Sequence, residues 1–210
     1  MKNRLPFVSD SLKISIICEG NEEYEYIEAL KNIKVWNDIY EIALENAGGN
    51  GNVVARYQNK YQNGSYDVVL IFCDTDKKPY EQYRDIKDKI NSFHGNQNAA
   101  NAVVIFGNPC TMQIILLHWK DVRITTQGKG ANAELIKECT GVENYKAHRK
   151  QREGIWEKID RENYKVMKER VKALPDDDIE VSSSNIGRFL EWFESSDRGW
   201  IDEINDILEE

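Results

Sequence analysis

The run "YDVVLIFCDTD", residues 66–76, constrains the fold of this chain more than any other stretch. Val68 to Cys73 are six apolar residues with no polar interruption, closed by Asp74. A half-exposed strand alternates apolar and polar residues, and this one does not. It therefore reads as a strand covered on both faces, as in the middle of a parallel sheet with helices on either side.

The neighbouring segments repeat the theme. "KISIIC", residues 13–18, is a short, Ile-rich strand, and residues 21–32 follow as a helix with Tyr24, Ile27 and Leu30 on one face. Residues 39–46 read as a strand before the "AGGNGN" loop, and "NVVARYQNKYQ" as a helix that ends at Gly64-Ser65. A polar helix is expected from Tyr80 to Phe93, and a strand from Ala102 to Phe106. After the exit Gly107-Asn108-Pro109, "CTMQIILLHW" predicts a helix opened by Pro109. Strands alternating with helices indicate an α/β fold with a mainly parallel sheet flanked by helices. Beyond about residue 128 the character changes to long polar helical segments, near 131–139, 145–173 and 185–208, with "LPDDDIEVSSSN" as the best linker. The expected organisation is an α/β domain over 1–127 and a helical C-terminal extension over 128–210, packed on it.

Composition bounds the function. A chain of 210 residues with 40% hydrophobic and 30% charged residues has enough apolar material for one sizeable core. No apolar run approaches a membrane span. "MKNRLPFVSDS" lacks the apolar stretch of an export signal, so the cytoplasm is the expected compartment. Cys18, Cys73, Cys110 and Cys139 form no CxxC pair, and the first two close apolar runs as reduced, buried thiols. A net charge of −8 argues against a diffuse electrostatic grip on nucleic acid, but it leaves room for an enzyme with acidic metal ligands and one local basic patch. "KAHRKQR" offers such a patch in Lys146, Arg149, Lys150 and Arg152, which equally suits a solvated helix face. If it plays no part, Lys77, Lys78 and Lys129 are the next candidates.

Carboxylates end the buried strands. Glu19 closes the first, and Asp74 and Asp76 close the run that opened this section. Strand alternation puts Asp74 and Asp76 on one side and Thr75 on the other. In parallel sheets, ligands gather beyond the carboxyl ends of strands. If these two strands are neighbours, three carboxylates converge and repel. A hard divalent cation, Mg²⁺ or Mn²⁺, would relieve that repulsion. A DxD pair alone also serves as a helix cap or a solvated turn. Gly128-Lys129-Gly130 lacks P-loop spacing and reads as a plain loop.

"IICEGNEEYEYIEAL" followed by "VVLIFCDTD" resembles the TOPRIM domain of topoisomerases, primases and OLD-type nucleases, and more closely its RloB-like branch. That branch has Asn-Pro-Cys, an apolar helix and a His after the fourth strand; here the match is "GNPCTMQIILLHW". Glu19, Gly20, Glu23 and Tyr26 match its first motif, with Glu22 in place of a Thr. The resemblance covers residues 13–120, and "ENYKAHRK" and "SSSNIGRFLEWF" have looser counterparts in the family's tail. It implies Mg²⁺ held by Glu19, Asp74 and Asp76, with Glu23 supporting the metal or acting as a base. It also implies a catalytic or phosphate-contacting role for His118, which on spacing alone reads as a core or helix-terminal histidine. Apart from the resemblance, Lys146 would stabilise a phosphorane-like transition state if it folded back over the metal site and is surface charge otherwise, and Asn108 reads as shaping its turn. The implied activity is a metal-dependent nuclease acting on RNA, tRNA included, or DNA. The implied setting is bacterial anti-phage defence by abortive infection, beside an ATPase partner. One departure stands out: Met112 occupies a position that is usually acidic, and a thioether neither ligates a hard cation nor moves a proton. A catalytically inactive TOPRIM-fold protein that binds a partner ATPase or nucleic acid is the alternative.

Overall fold

The computed structural model describes residues 11–210; "MKNRLPFVSD", read above for an export signal, lies outside them. Five strands form one sheet in the order β2-β1-β3-β4-β5. They are β1 (Leu12–Cys18), β2 (Tyr40–Asn46), β3 (Val68–Asp74), β4 (Val104–Asn108) and β5 (Ser183–Ser184). The first four run parallel, and β5 pairs antiparallel with β4. β3 sits in the centre, and Val68 to Cys73 are all buried, as a strand covered on both faces must be. Burying each large aliphatic side chain contributes about 1.5–3 kcal/mol, so the six-residue run anchors the sheet.

Right-handed crossovers send the first two helices to opposite faces, because β1 to β2 and β2 to β3 step in opposite directions. α1 (Asn21–Asn32) lies on one face. α2 (Asn50–Gln62), α3 (Glu81–His94) and the short α4 (Ala99–Val103) lie on the other. Behind α1 pack α5 (Met112–Leu116), α7 (Arg149–Trp156) and α8 (Arg161–Val171). α6 (Ala133–Thr140) precedes them; α9 (Ile186–Glu194) packs on α8 and β4, and α10 (Gly199–Glu209) returns to α4 and β3. No helix among the described residues is long and apolar enough to cross a membrane. All four cysteines are free, and Cys18 and Cys73 are buried.

Several expectations change. Ala102 and Val103 end α4 rather than opening a strand, so β4 begins at Val104. Pro109 does not open a helix: it follows a cis peptide bond, and α5 starts at Met112 and covers only half of the apolar run. The buried face of α1 is Glu23, Tyr26, Ile27 and Leu30; Tyr24 is only partly buried. The segment 145–173 is two helices, broken where Asp160 caps α8 by accepting from the Glu162 and Asn163 N–H groups. The segment 185–208 likewise breaks, between α9 and α10. The expected linker carries β5, which extends the sheet. The residues beyond 127 therefore share one core with the rest.

Candidate functional site

The carboxyl ends of β1 and β3 lie side by side. Cys18 pairs with Phe72 in register, and the Glu19 N–H donates to the Phe72 carbonyl at 2.9 Å. Glu19 therefore sits where the sheet gathers ligands, and its Oε2 accepts the Asp74 N–H at 3.1 Å. One turn into α1, Glu23 reaches back to accept the Gly20 N–H at 3.0 Å, which is one half of a capping box. Gly20 suits this arrangement because a Cβ there would stand 3.2 Å from the Glu23 Oε2.

Asp74 is held from the other side. Its Oδ1 accepts the Thr111 N–H at 2.6 Å and the Thr111 hydroxyl at 2.7 Å. That contact depends on a tight return of the chain after β4. A Cβ on Gly107 would stand 3.0 Å from the backbone of Cys110 and Thr111, so only glycine lets the turn fold back this far. Asn108 completes the turn: it accepts from the Thr75 hydroxyl and donates to the Ile179 and Val181 carbonyls, which tie down the approach to β5.

Burial and mutual repulsion govern the charges. Desolvation, followed by the charges of Glu23 and Asp76, pushes the Glu19 carboxyl up to about 8. Burial first and Glu22 second raise Glu23, while its hydrogen bonds to Gly20 and Thr111 pull it back in part. Asp74 is raised well above the carboxylate range by burial, Glu23 and Glu19, against the lowering bond from Thr111. Three carboxyls that resist ionisation in one place have the donor chemistry of a site for a hard cation. Their oxygens do not already converge, however. Among the described residues, no group of three or more His, Cys, Asp or Glu is arranged to hold a metal.

Asp76 reaches this region by a different route from the one its spacing suggested. β3 ends at Asp74, and Asp76 has a left-handed backbone with φ of 61°, so strand alternation does not place it. Both aspartates nevertheless line one cavity of about 240 Å³, together with Glu22, Cys110 and Met112. The Asp76 Oδ2 accepts from Asn50 at 3.3 Å. The far wall of the cavity comes from beyond residue 126: Gln127, Lys129, Asn132, Ile136 and Tyr145.

The other candidate residues lie elsewhere. His118 is buried and away from this cavity. Its Nδ1 faces the Asn163 Oδ1 at 2.8 Å and its Nε2 faces the Tyr26 hydroxyl at 3.0 Å. With Asn163 as acceptor, Nδ1 carries the proton and Nε2 accepts from Tyr26. Burial holds its pKa down at about 4, so the neutral ring serves as a bridge between helices. Lys146 is exposed and does not line the cavity, whereas its neighbour Tyr145 does. Arg152 is no surface cation. It is 8% exposed and grips Glu25 with two bonds of 2.7 Å, while Trp156 donates to the same carboxylate at 3.0 Å. Arg149 is exposed and pairs with Glu153, and Lys150 is exposed. The hollow beside this segment sets Glu25, Glu28, Glu153 and Glu157 against Arg149 and Arg152, both already paired with glutamates, which makes it a poor seat for phosphate. Arg152 therefore leaves the basic patch for a structural reason: its charge is already spent on Glu25.

Sequence reasoning missed Thr111, Gln127 and Tyr145. A Thr just ahead of an apolar helix is a capping signal, and that signal would have drawn attention to Thr111. Nothing local marks the other two. Comparison with protein-family models, with curated proteins and with solved structures found no match.

Proposed function

We propose that this chain is a divalent-metal-dependent nuclease of the TOPRIM, RloB-like kind. The observation that carries this reading is the placement of Glu19 and Asp74 at the carboxyl ends of adjacent parallel strands, with Glu23 against them and all three carboxyls raised by burial and repulsion. Glu19, Asp74 and Asp76 would hold Mg²⁺ or Mn²⁺, which when bound neutralises phosphate charge and lowers the pKa of its water. Thr111 orients Asp74 through two hydrogen bonds, and Gly20 orients Glu23 through one. Glu23, held protonatable close to neutrality, supplies an acid or base beside them. A setting in anti-phage defence with an ATPase partner follows from the resemblance of the sequence and not from the chemistry of the site.

A second reading draws on one observation: Met112 is buried and lines the acidic cavity at the position where the family usually has an acid. It makes the chain a binding protein on the same fold, without hydrolysis. Incubation of labelled RNA and DNA with purified protein and Mg²⁺ or Mn²⁺ separates the two readings. The nuclease reading expects cleavage that chelator abolishes and that Glu19→Gln lacks while staying folded. Absence of cleavage by wild type, with and without a candidate ATPase, decides for the binding protein. Equal cleavage by wild type and Glu19→Gln overturns the assigned centre.

A further inference from the structure

The cavity over the carboxylates has an upper wall that the acidic centre does not explain. Tyr145 is 1% exposed, lines that cavity, and its hydroxyl makes no hydrogen bond of ordinary geometry, although the Glu22 carboxylate is close enough to raise its pKa. The Gln127 side-chain oxygen in the same wall is buried and also unpartnered. A buried hydroxyl without a partner is costly, and native structures rarely keep one without a use. Lys129 stands beside these two, exposed, with only a 3.5 Å pairing to Glu22. One wall is therefore acidic, and the opposite wall offers a hydroxyl donor that no group holds at hydrogen-bond geometry, and an ammonium. A ligand that satisfies both walls carries a cation on one side and anionic oxygens on the other.

Size narrows the class. The chamber of 240 Å³ holds the equivalent of about eight waters at ~30 Å³ each, which suits one phosphoryl group with its hydration and not a whole nucleotide. A second hollow of about 580 Å³ shares Asp76 and Gln127 with the chamber, and Lys77, Lys78 and Arg123 line it. Lys78 and Arg123 pair there with Glu180 and Asp121, but these pairs are exposed and cheap to exchange for phosphate. The chamber and the hollow together form a path for a strand with one phosphate seated and its neighbours outside.

We propose that the chamber is a phosphate subsite for a nucleic-acid strand, clamped by the Tyr145 hydroxyl and the Lys129 ammonium, with the strand leaving past Gln127 into the groove of Lys77, Lys78 and Arg123. This rests on the phosphodiester chemistry proposed above, and it moves the grip away from the Lys146–Arg152 segment. Burial first and the Glu22 carboxylate second raise the Tyr145 pKa, so the hydroxyl remains a donor at neutral pH.

The test is fluorescence anisotropy with short fluorescein-labelled single strands of RNA and of DNA, in Ca²⁺, which takes oxygen ligands. Tyr145→Phe and Lys129→Gln are each expected to weaken binding about tenfold, the usual scale for losing a hydrogen bond to a charged group. Lys129→Gln should also lower the log–log salt slope by about 0.7. Lys150→Gln should change neither. Without a strand, Tyr145→Phe should melt at or above wild type, because it removes an unpartnered hydroxyl. Binding of both variants within twofold of wild type overturns the clamp, as does a wild type that binds neither strand, or a lower melting temperature for Tyr145→Phe. Failure of the nuclease reading looks different: the strand binds and depends on Tyr145, yet Mg²⁺ and Mn²⁺ give no cleavage. Cleavage with unchanged KM in both variants keeps the nuclease and removes the clamp.

Discussion

Replacing Glu19 by Gln tests the electrostatics of the centre directly. The side chain keeps its shape and an oxygen to accept the Asp74 N–H, and it loses the ability to ionise. The folded-state pKa of about 8 lies above the ordinary carboxylate value of 4.5. Between those two values the folded protein holds a proton that the unfolded chain has released, so stability falls as pH rises through this window. The full difference, 8 less 4.5, corresponds at 1.36 kcal/mol per unit to a ceiling of about 5 kcal/mol. Glu19 is only partly buried, so relaxation and water bring the expected loss to roughly 2–3 kcal/mol. For a chain of this size that is about 4–12 °C of melting temperature.

The assay is thermal unfolding in chelator at pH 5 and pH 8.5. At pH 5, Glu19 is protonated in the folded protein, and Glu19→Gln should melt close to wild type. At pH 8.5 it should melt several degrees higher. Adding Mg²⁺ at pH 8.5 should raise wild type and leave the variant nearly unmoved, because a ligand that binds only the folded state stabilises it. A variant no more stable than wild type at pH 8.5, or one displaced equally at both pH values, would refute the claim that desolvation and repulsion strain this carboxyl.

Asp74→Asn should abolish the rise in melting temperature that Mg²⁺ or Mn²⁺ gives wild type, and an unchanged rise would put the metal elsewhere. Arg152→Gln should cost about 2–4 kcal/mol in urea unfolding, since it strands a partly buried Glu25, while leaving the salt dependence of strand binding unaltered. The His118 imidazole should show no NMR titration midpoint near 6.5. Its depressed pKa means that stability is lost as pH falls below 6.5 towards about 4, the opposite sign to Glu19. A midpoint near neutrality would mean that the bridge between Tyr26 and Asn163 is open to water. Gly107→Ala should lower stability by about 1–3 kcal/mol, read by thermal melting, because its Cβ meets backbone that cannot rotate away.

The parallel sheet was legible because its strands are local and apolar. Val68–Cys73 needs no partner to declare itself, and Glu19, Asp74 and Asp76 are marked simply by following such runs. The start of β4 is hidden because "AANAV", apolar but for Asn101, suits either conformation, and short helices carry too few turns to show a period. The break near residue 160 did carry a signal, Asp160 with Asn163 three positions on, but polar residues on both sides masked it. β5 is two serines, and only the edge of β4 makes them a strand. Arg152 shows the deeper limit. Its partner Glu25 is far away in sequence, and a basic run looks the same whether its charges face solvent or a buried carboxylate.

The part of the chain beyond residue 127 matters to the site as well as to the core. Glu19, Asp74 and Thr111 are fixed by the sheet and the turn after β4. That turn is fixed in its place by Asn108, whose amide is satisfied only by the Ile179 and Val181 carbonyls, while Ser182 next to them donates to the Ile124 carbonyl at 2.5 Å. Lys129 and Tyr145 then face the acids from across the cavity. Without those C-terminal residues the acidic end of the sheet would lie open to water, and solvation would relax the raised pKa values toward ordinary ones. The electrostatic strain therefore depends on the C-terminal wall of the cavity as well as on the strands. A substitution that loosens the roof, at Asn108 for example, should bring the Glu19 titration down toward the ordinary carboxylate range without touching any acid. Carboxyl titrations followed by NMR in Asn108→Ala and wild type would show this, and an unmoved Glu19 would mean that its burial comes from the strands alone.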